Sequence, residues 1–465
     1  MTFKPHLQAI FDDMRDCAGR IAADYDAFFR ESPRFASPTI SLGDGQVIYV
    51  SQKSVVAIRE IARIYRENSA ECGRALPHSE MEDLVSSALG SLVRASAPAG
   101  ATEFPIPIDP DTFWVVLREQ LARDLTKLNR ELTHLFGAWA TQGDTIAFID
   151  IGPVRFSRRA QWVSDAVAAG LLTESQASCL SHHWERGSRI DPNPAEGFDG
   201  YRIKDVADAV GSCPWVCMVR VFGHTHTRSR QKALLAARIA LTAISLAWDN
   251  PSQQAKNTGL LYDIGPERIR HTVMFSNESF FGASHESVLR LGRFLTMGDA
   301  TAFAARTDRQ LQTVGAALDT FLSINPTSPK RLLEEALCHS LIWFGEACNE
   351  PLEFMSIVKF VASLDTLAKG GKTRGICRLI QRRYPVRDMD APFLNDGTSA
   401  KQLVTQIYEI GRSRIVHGTR SSLIDDLDEL RARAELLATV VLRACIVWLD
   451  TYAGSDDVSA FTTSA

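Results

Sequence analysis

Helix-period apolar residues run almost without interruption through the last third of the chain, and they constrain the fold more than any other feature. Leu333, Leu337, Leu341 and Phe344 recur every three or four residues, the spacing that gathers side chains on one face of an α-helix. The pattern predicts helices over residues 329–348, 352–368, 373–384 and 421–452. It predicts a small antiparallel helical bundle.

A further helix is predicted from Ser399 to Gly418. Ser399 and Gln402 have the spacing of a capping box, and Gly418 suits a helix C-terminus. On a straight helix at about 100° per residue, Arg412 and His417 point about 140° apart. They reach one phosphate only if this helix end packs against a second surface, which suggests a composite site across a dimer.

The stretch Arg412-Ser413-Arg414-Ile415-Val416-His417-Gly418 carries the chemistry. In metal-free RNA cleavage, a histidine removes the ribose 2′-OH proton and an arginine stabilises the charged phosphate. The carbonyl end of a helix also favours protonated histidine and moves its pKa toward neutral. The spacing also arises by chance in a chain with 51 Lys and Arg and 11 His, so a hydrogen-bonded helix-end histidine stays an alternative.

Glu334 to Trp448 resembles the HEPN superfamily, and within it the branch grouped with ApeA-type bacterial anti-phage proteins. The matching blocks are Ala336-Leu337 with Trp343-Phe344, Phe360-Val361-Ala362-Ser363-Leu364-Asp365-Thr366-Leu367, Arg382-Arg383-Tyr384, and Ile407-Tyr408-Glu409-Ile410-Gly411-Arg412-Ser413-Arg414-Ile415-Val416-His417-Gly418.

The resemblance implies a helical bundle that dimerises with two arginine–histidine motifs facing one groove, and a metal-independent endoribonuclease. By position, Arg412 is then the phosphate-binding arginine and His417 the catalytic histidine. Ser413 stands where many family members have Asn, Asp or His, although it agrees with the narrower branch, and its hydroxyl can orient a phosphate or a water. The resemblance implies no cofactor and no metal.

A cationic segment precedes this motif on a chain of net charge −4, and it contains no Asp or Glu before Asp388. A local cluster of this kind suits docking of a phosphate backbone, although a solvated helix face gives the same pattern. With Arg414, we therefore expect RNA binding here. The cations are Lys369, Lys372, Arg374, Arg378, Arg382, Arg383 and Arg387.

Local sequence patterns predict a mainly α chain with a mixed α/β middle region. We divide its 465 residues into a mostly helical region (1–140), a mixed α/β sensor or regulatory domain (145–325), the HEPN-like bundle (326–453) and a flexible tail (454–465). The most apolar stretch, Ala233 to Trp248, is too short to span a bilayer and contains Arg238. We expect a cytoplasmic protein without membrane contact. Nine scattered cysteines indicate buried free thiols.

Within these regions, local signals predict individual elements. Asp109 and Pro110 open a helix whose apolar seam, Trp114 to Leu135, serves either internal packing or self-association. Residues 40–50 are predicted to form a hairpin, and residues 95–108 are predicted to form a linker. Further predictions are strands over 145–151 and 215–223, a helix over 227–248, and sheet edges at 272–275 and 280–281.

Other motifs fail. Gly371-Lys372-Thr373 lacks the first glycine of a phosphate loop, because that position is Thr366, and it follows a helix. Gly282-Ala283-Ser284-His285 continues with Glu286 where a nucleophile elbow needs glycine. A zinc site formed by His224 and His226, with His182 and His183, lacks further ligands at suitable spacing; His226 with Arg228 and Arg230 equally suits a phosphate or other ligand.

These observations predict a metal-independent endoribonuclease of bacterial anti-phage defence or toxin type, which forms 2′,3′-cyclic phosphate ends and acts as a homodimer through the C-terminal bundle. The upstream residues would restrain it until a phage-derived or nucleotide trigger arrives. The alternative is a non-catalytic dimerisation and RNA-binding scaffold. A nucleotide-binding or nucleotide-modifying enzyme in the middle domain is the third interpretation.

Overall fold

The structure is a computed structural model of the whole chain. It describes residues 3–31, 38–42, 46–68, 76–96, 109–128, 130–142, 145–191, 199–263, 269–276, 279–287, 292–324, 326–384, 386, 388–413 and 427–463.

The chain forms two compact units, and it enters the first one twice. Unit 1 consists of Met1–Leu132 and Phe222–Arg230, and unit 2 consists of Thr133–Val221 and Gln231–Ala465. The fold is mainly helical, with small sheets. The sequence-based division at residues 140, 325 and 453 stays a prediction.

Unit 1 is a helical layer with one short hairpin. Its helices are α1 (Lys4–Ala23), α2 (Tyr25–Glu31), α3 (Gln52–Asn68), α4 (His78–Ala95) and α5 (Pro110–Lys127). Strands β1 (Thr39–Ser41) and β2 (Val47–Tyr49) pair antiparallel, which confirms the hairpin predicted over residues 40–50. The predicted linker lies largely outside the described residues. Buried side chains recur at helical spacing along α1, at Leu7, Ile10, Phe11 and Met14.

The strands that follow β2 along the chain are β3 (Glu131–Trp139), β4 (Thr141–Gln142), β5 (Phe148–Ile151), β6 (Val154–Arg158), β7 (Trp215–Phe222), β8 (Gly259–Leu260), β9 (Ile269–Ser276), β10 (Ser279–Ser287) and β11 (Arg293–Phe294). Five of them form one sheet in the order β5-β6-β7-β3-β8. Strand β6 pairs antiparallel with β5 and with β7, and β3 pairs antiparallel with β8. Separate pairs join β9 to β10 (antiparallel) and β4 to β11 (parallel).

Along the chain, the helices of unit 2 interrupt and follow the strands of this sheet. They are α6 (Arg159–Ala168), α7 (Glu174–Arg186), α8 (Asp199–Val210), α9 (His226–Leu246), α10 (Pro251–Asn257), α11 (Met297–Leu322), α12 (Arg331–Asn349), α13 (Glu353–Leu367), α14 (Lys372–Arg383), α15 (Ala400–Thr405) and α16 (Asp428–Thr451). The observed bounds of α12, α13 and α14 lie within two residues of the predicted segments. Among the described residues, no helix is both long and apolar enough to cross a membrane.

Helix α13 is central in the C-terminal half, where it packs against α12 and α16. Its Ile357, Phe360, Val361 and Leu364 are fully buried. Burial contributes about 25 cal/mol per Å² of apolar surface removed from water. The same core cluster extends from the sheet residues to Phe461, so the sheet and the helices share one hydrophobic core.

Two predicted helices end earlier than their apolar patterns. Helix α5 begins as predicted, because the Asp109 carboxylate accepts from the N–H groups of Asp111 and Thr112, but it stops at Lys127, and Leu132 and Leu135 belong to strand β3. The Ser399–Gln402 capping box is present, yet the α-helix that it opens ends at Thr405 and continues as a π-helix. Tertiary packing overrides helical periodicity in both places.

Residues 454–463, for which the sequence predicts a flexible tail, are packed. Val458–Thr462 form a 3₁₀ helix capped by Asp457, and the Phe461 side chain is fully buried. The cysteine prediction holds for most described positions: Cys17, Cys213, Cys217, Cys338, Cys348 and Cys445 are buried free thiols, whereas Cys377 is partly buried and Cys179 exposed.

Candidate functional site

Arg412 lies on a π-helical turn, Gln406–Ser413, that continues from α15. A π-helix bonds each N–H to the carbonyl five residues earlier, is rare, and is frequently found at functional sites. The turn packs against α13. Because the backbone is not α-helical here, the uniform rotation of about 100° per residue assumed for Arg412 and His417 does not apply.

Two side chains hold the Arg412 guanidinium. Its Nη1 donates to the Tyr408 hydroxyl oxygen at 2.7 Å, and its Nη2 lies 3.9 Å from Oδ2 of Asp365 on α13. The Arg412 side chain keeps 33 % of its surface exposed, against 14 % for Asp365. Arg412 is thus fixed on one side and open to solvent on the other.

The surroundings favour the protonated, uncharged phenol of Tyr408, and they offset the positive charge of Arg412 only weakly. Burial raises the pKa of the Tyr408 phenol, and Asp365 adds to that rise while Arg412 opposes it. An ion pair at the limit of contact and partly in water contributes about 0–1 kcal/mol. An incoming phosphate could therefore compete with Asp365 for Arg412.

Asp365 also ties Arg412 to the start of α14. Its Oδ1 accepts the backbone N–H of Lys372 at 3.0 Å. The turn between α13 and α14 places Lys369 and Lys372 at φ 54°, a left-handed conformation that costs a non-glycine residue on the order of 1–3 kcal/mol. One carboxylate thus links the predicted phosphate-binding arginine to the predicted RNA-binding helix.

Most of the predicted RNA-binding cations lie on α14. Lys372, Arg374, Arg378 and Arg382 are exposed, whereas Gly375, Ile376, Leu379 and Ile380 on the opposite face are buried. The three arginines, which recur every four residues, therefore share the exposed side of an amphipathic helix. Lys369, just before the helix, is paired with Asp457 at 2.9 Å.

Arg383 differs from its neighbours. Its guanidinium donates to the carbonyl oxygens of Phe461 and Thr463, both at 2.9 Å, and to that of Ala460. It also lies 3.7 Å from the centre of the Trp448 ring. Burial lowers the pKa of this guanidinium. Arg383 is engaged in fixing the C-terminal segment, so we leave it out of the RNA-binding surface.

The remaining predicted site residues divide into two groups. Ser413 is half-buried at the end of the π-helical turn. Arg414, His417 and Arg387 lie outside the described residues.

Sequence reasoning missed Asp365 as a site residue. It stands in a block quoted for the family resemblance, but no motif pairs it with Arg412. One local signal was available. Asp365 stands near the end of an apolar helix, five residues before Gly370-Gly371, and a carboxylate at a helix end can accept N–H groups of the following turn. Tyr408 was likewise quoted only as part of a motif.

Two of the four histidines considered for zinc have identified partners. Nδ1 of His224 lies 3.1 Å from Oε1 of Glu80, and both side chains are almost fully buried. His183 is hydrogen-bonded to the Ser188 carbonyl. In the part of the chain that the structure describes, no three His, Cys, Asp or Glu side chains are grouped as metal ligands.

Comparison with known proteins returned no relative: no protein-family model matches the chain, and searches of curated proteins and of solved structures find no match.

Proposed function

We propose that this protein is a metal-independent endoribonuclease whose C-terminal helices form a HEPN-like domain. The single observation that carries the proposal is the Arg412 guanidinium, which is oriented by Tyr408 and Asp365 and still one-third exposed. A guanidinium that is pre-oriented and accessible can stabilise a phosphate on which charge develops, without reorganisation during the reaction.

In the proposed mechanism, neutral His417 takes the proton of the ribose 2′-OH, directly or through a water. The 2′ oxygen attacks the adjacent phosphorus, and the bond from phosphorus to the 5′ oxygen of the next nucleotide breaks. That 5′ oxygen takes a proton from solvent water, and the protonated His417 returns its proton to solvent. Arg412 stabilises the crowded phosphorane, and the Tyr408 hydroxyl, which accepts from Arg412, keeps its own proton for a phosphate oxygen. The products carry a 2′,3′-cyclic phosphate and a 5′-OH.

The biological setting follows from the resemblance and from the hazard of the activity. Unrestrained RNA cleavage harms the cell that makes the enzyme, so we propose a role in anti-phage defence or toxin-type growth arrest. The upstream residues would sense a phage-derived or nucleotide trigger, and dimerisation through the C-terminal bundle would bring two Arg412–His417 pairs to one groove.

The test is incubation of wild type, His417→Ala and Arg412→Gln with total tRNA and a mixed single-stranded RNA in EDTA, followed by analysis of fragment ends. Cyclic phosphate ends from wild type alone support the proposal. Loss of cleavage on EDTA addition to an otherwise active enzyme contradicts the mechanism.

The competing function is a dimerisation and RNA-binding scaffold without catalysis. The number of cations on α14 that face solvent favours RNA binding in either case. If wild type binds RNA but leaves it intact, alone and with phage lysate or nucleotides added, the scaffold is the better description.

A further inference from the structure

Three arginines on the exposed face of α14 follow one another at four-residue intervals: Arg374, Arg378 and Arg382. Within the described ranges, their side chains make no ion pair or hydrogen bond. Their neighbour Arg383, in contrast, has three carbonyl acceptors. In the folded chain, the Arg383 side chain therefore points inward, whereas Arg374, Arg378 and Arg382 form a row that is exposed to solvent.

The geometry of the row is set by the helix. Four residues at about 1.5 Å each separate neighbouring arginines by about 6 Å, so the row is about 12 Å long. Like charges four residues apart repel each other on an isolated helix. An external polyanion would relieve that repulsion.

The first residue of α14, two residues before the row begins, contacts the candidate site. Lys372, two residues before Arg374, donates its backbone N–H to Asp365, and the same carboxylate approaches Arg412. A chain of phosphates placed along Arg382, Arg378 and Arg374 would therefore lead toward the Arg412 guanidinium.

We propose that this face of α14 binds one unpaired RNA strand, on one side of the phosphate that Arg412 contacts. The inference rests on the proposed function, because it takes Arg412 as the site of cleavage. Attack by the 2′ oxygen needs the 2′ oxygen, phosphorus and 5′ oxygen in line, an arrangement that regular A-form stacking does not allow. A row that is one side chain wide also follows one backbone rather than two.

The number of arginines in the row fixes the size of the contact. With one phosphate for each arginine, the row binds about three phosphates. The strand beyond the cut therefore contributes affinity over about three nucleotides, with no sequence preference, because phosphates carry no base information.

The experiment measures binding of an uncleavable 2′-O-methyl RNA strand across a salt series, so that catalysis does not enter. Each contact to a single strand contributes about 0.7 to the slope of log K against log salt. We expect Arg378→Gln to reduce the slope by about 0.7 and the affinity about fourfold at 0.15 M salt. The triple variant at Arg374, Arg378 and Arg382 should lose about fiftyfold and about two units of slope.

Three controls make the result specific. Arg378→Lys keeps the charge and should stay within about twofold of wild type. Arg118→Gln removes an exposed arginine from α5 in unit 1 and should leave both slope and affinity unchanged. A series of strand lengths should show Arg382→Gln weakening long strands but not those too short to reach its end of the row.

The outcomes separate this inference from the proposed function. If RNA binds as expected but is never cut, the ribonuclease fails and the binding row stands. If RNA is cut while the triple variant binds like wild type, the row is wrong and the ribonuclease stands. Equal binding of a duplex, or full competition by polyglutamate, would overturn the assignment to an unpaired RNA strand.

Discussion

Arg382 and Arg383 are consecutive residues of α14 with opposite environments: the first side chain is exposed, and the second donates to the carbonyl oxygens of Ala460, Phe461 and Thr463. The difference arises because successive residues of a helix point about 100° apart. Only Arg383 faces the C-terminal segment and the Trp448 ring.

The first prediction uses this pair as its own control. Arg383→Gln should lower the free energy of unfolding by about 2 kcal/mol, because it removes a charged donor from several carbonyls. Arg382→Gln should change it by less than about 0.5 kcal/mol, while weakening RNA binding. Urea denaturation of both variants measures the difference, and equal stabilities would contradict the inward role of Arg383.

The second prediction concerns the hydrogen bond between Tyr408 and Arg412. Tyr408→Phe keeps the ring but removes the hydroxyl that accepts from Arg412. We expect RNA cleavage to slow about tenfold, equivalent to about 1.4 kcal/mol, with RNA affinity within about twofold of wild type. Single-turnover kinetics separates rate from affinity. A loss of affinity alone would mean that Tyr408 serves binding rather than orientation.

The third prediction separates the two roles of Asp365. Asp365→Asn retains an oxygen for the Lys372 N–H but removes the negative charge beside Arg412. We expect unchanged stability and RNA binding about two- to fivefold tighter, because an ion pair worth up to about 1 kcal/mol no longer competes with phosphate. Weaker binding would instead show that the carboxylate is needed to orient Arg412.

Asp365→Ala is the matched variant for the structural role. It removes both the charge and the hydrogen-bond acceptor, so it should lower the free energy of unfolding by about 1 kcal/mol. Comparing the two substitutions in the same urea series assigns the effect to the charge or to the hydrogen bond.

The fourth prediction concerns the buried pair of Glu80 and His224 in unit 1. Burial alone would raise the pKa of Glu80, but hydrogen bonds to His224 and to the Thr225 N–H lower it overall from its ordinary value of 4.5. A carboxyl with a lowered folded-state pKa stabilises the fold above its unfolded pKa, and that contribution is lost as pH falls through the folded-state pKa.

Glu80→Ala should therefore cost about 2–3 kcal/mol near neutral pH, because it removes a charged acceptor from buried hydrogen-bond donors, and the difference from wild type should shrink as the solution becomes more acidic than pH 4.5. Hydrogen exchange of α4 at several pH values measures the local stability. A difference that grows toward acid pH would contradict the assigned direction.

The sequence by itself determined three helices of the C-terminal half. Apolar spacing placed α12, α13 and α14 within two residues of their observed bounds, and the Asp109 and Ser399 caps are present as predicted. These features are local, because side-chain periodicity and capping depend on residues within one or two turns of each other.

The tertiary structure alone decided the features that join distant residues. The approach of Asp365 to Arg412, the end of α5 and the start of strand β3, the π-helical turn and the packing of Phe461 all depend on neighbours far along the chain. Periodicity shows which face of a helix is apolar, but not which element covers it. For that reason the sequence does not distinguish the roles of the seven cations in residues 369–387. Packing directs the Arg383 side chain toward the C-terminal segment and leaves Arg374, Arg378 and Arg382 exposed to solvent.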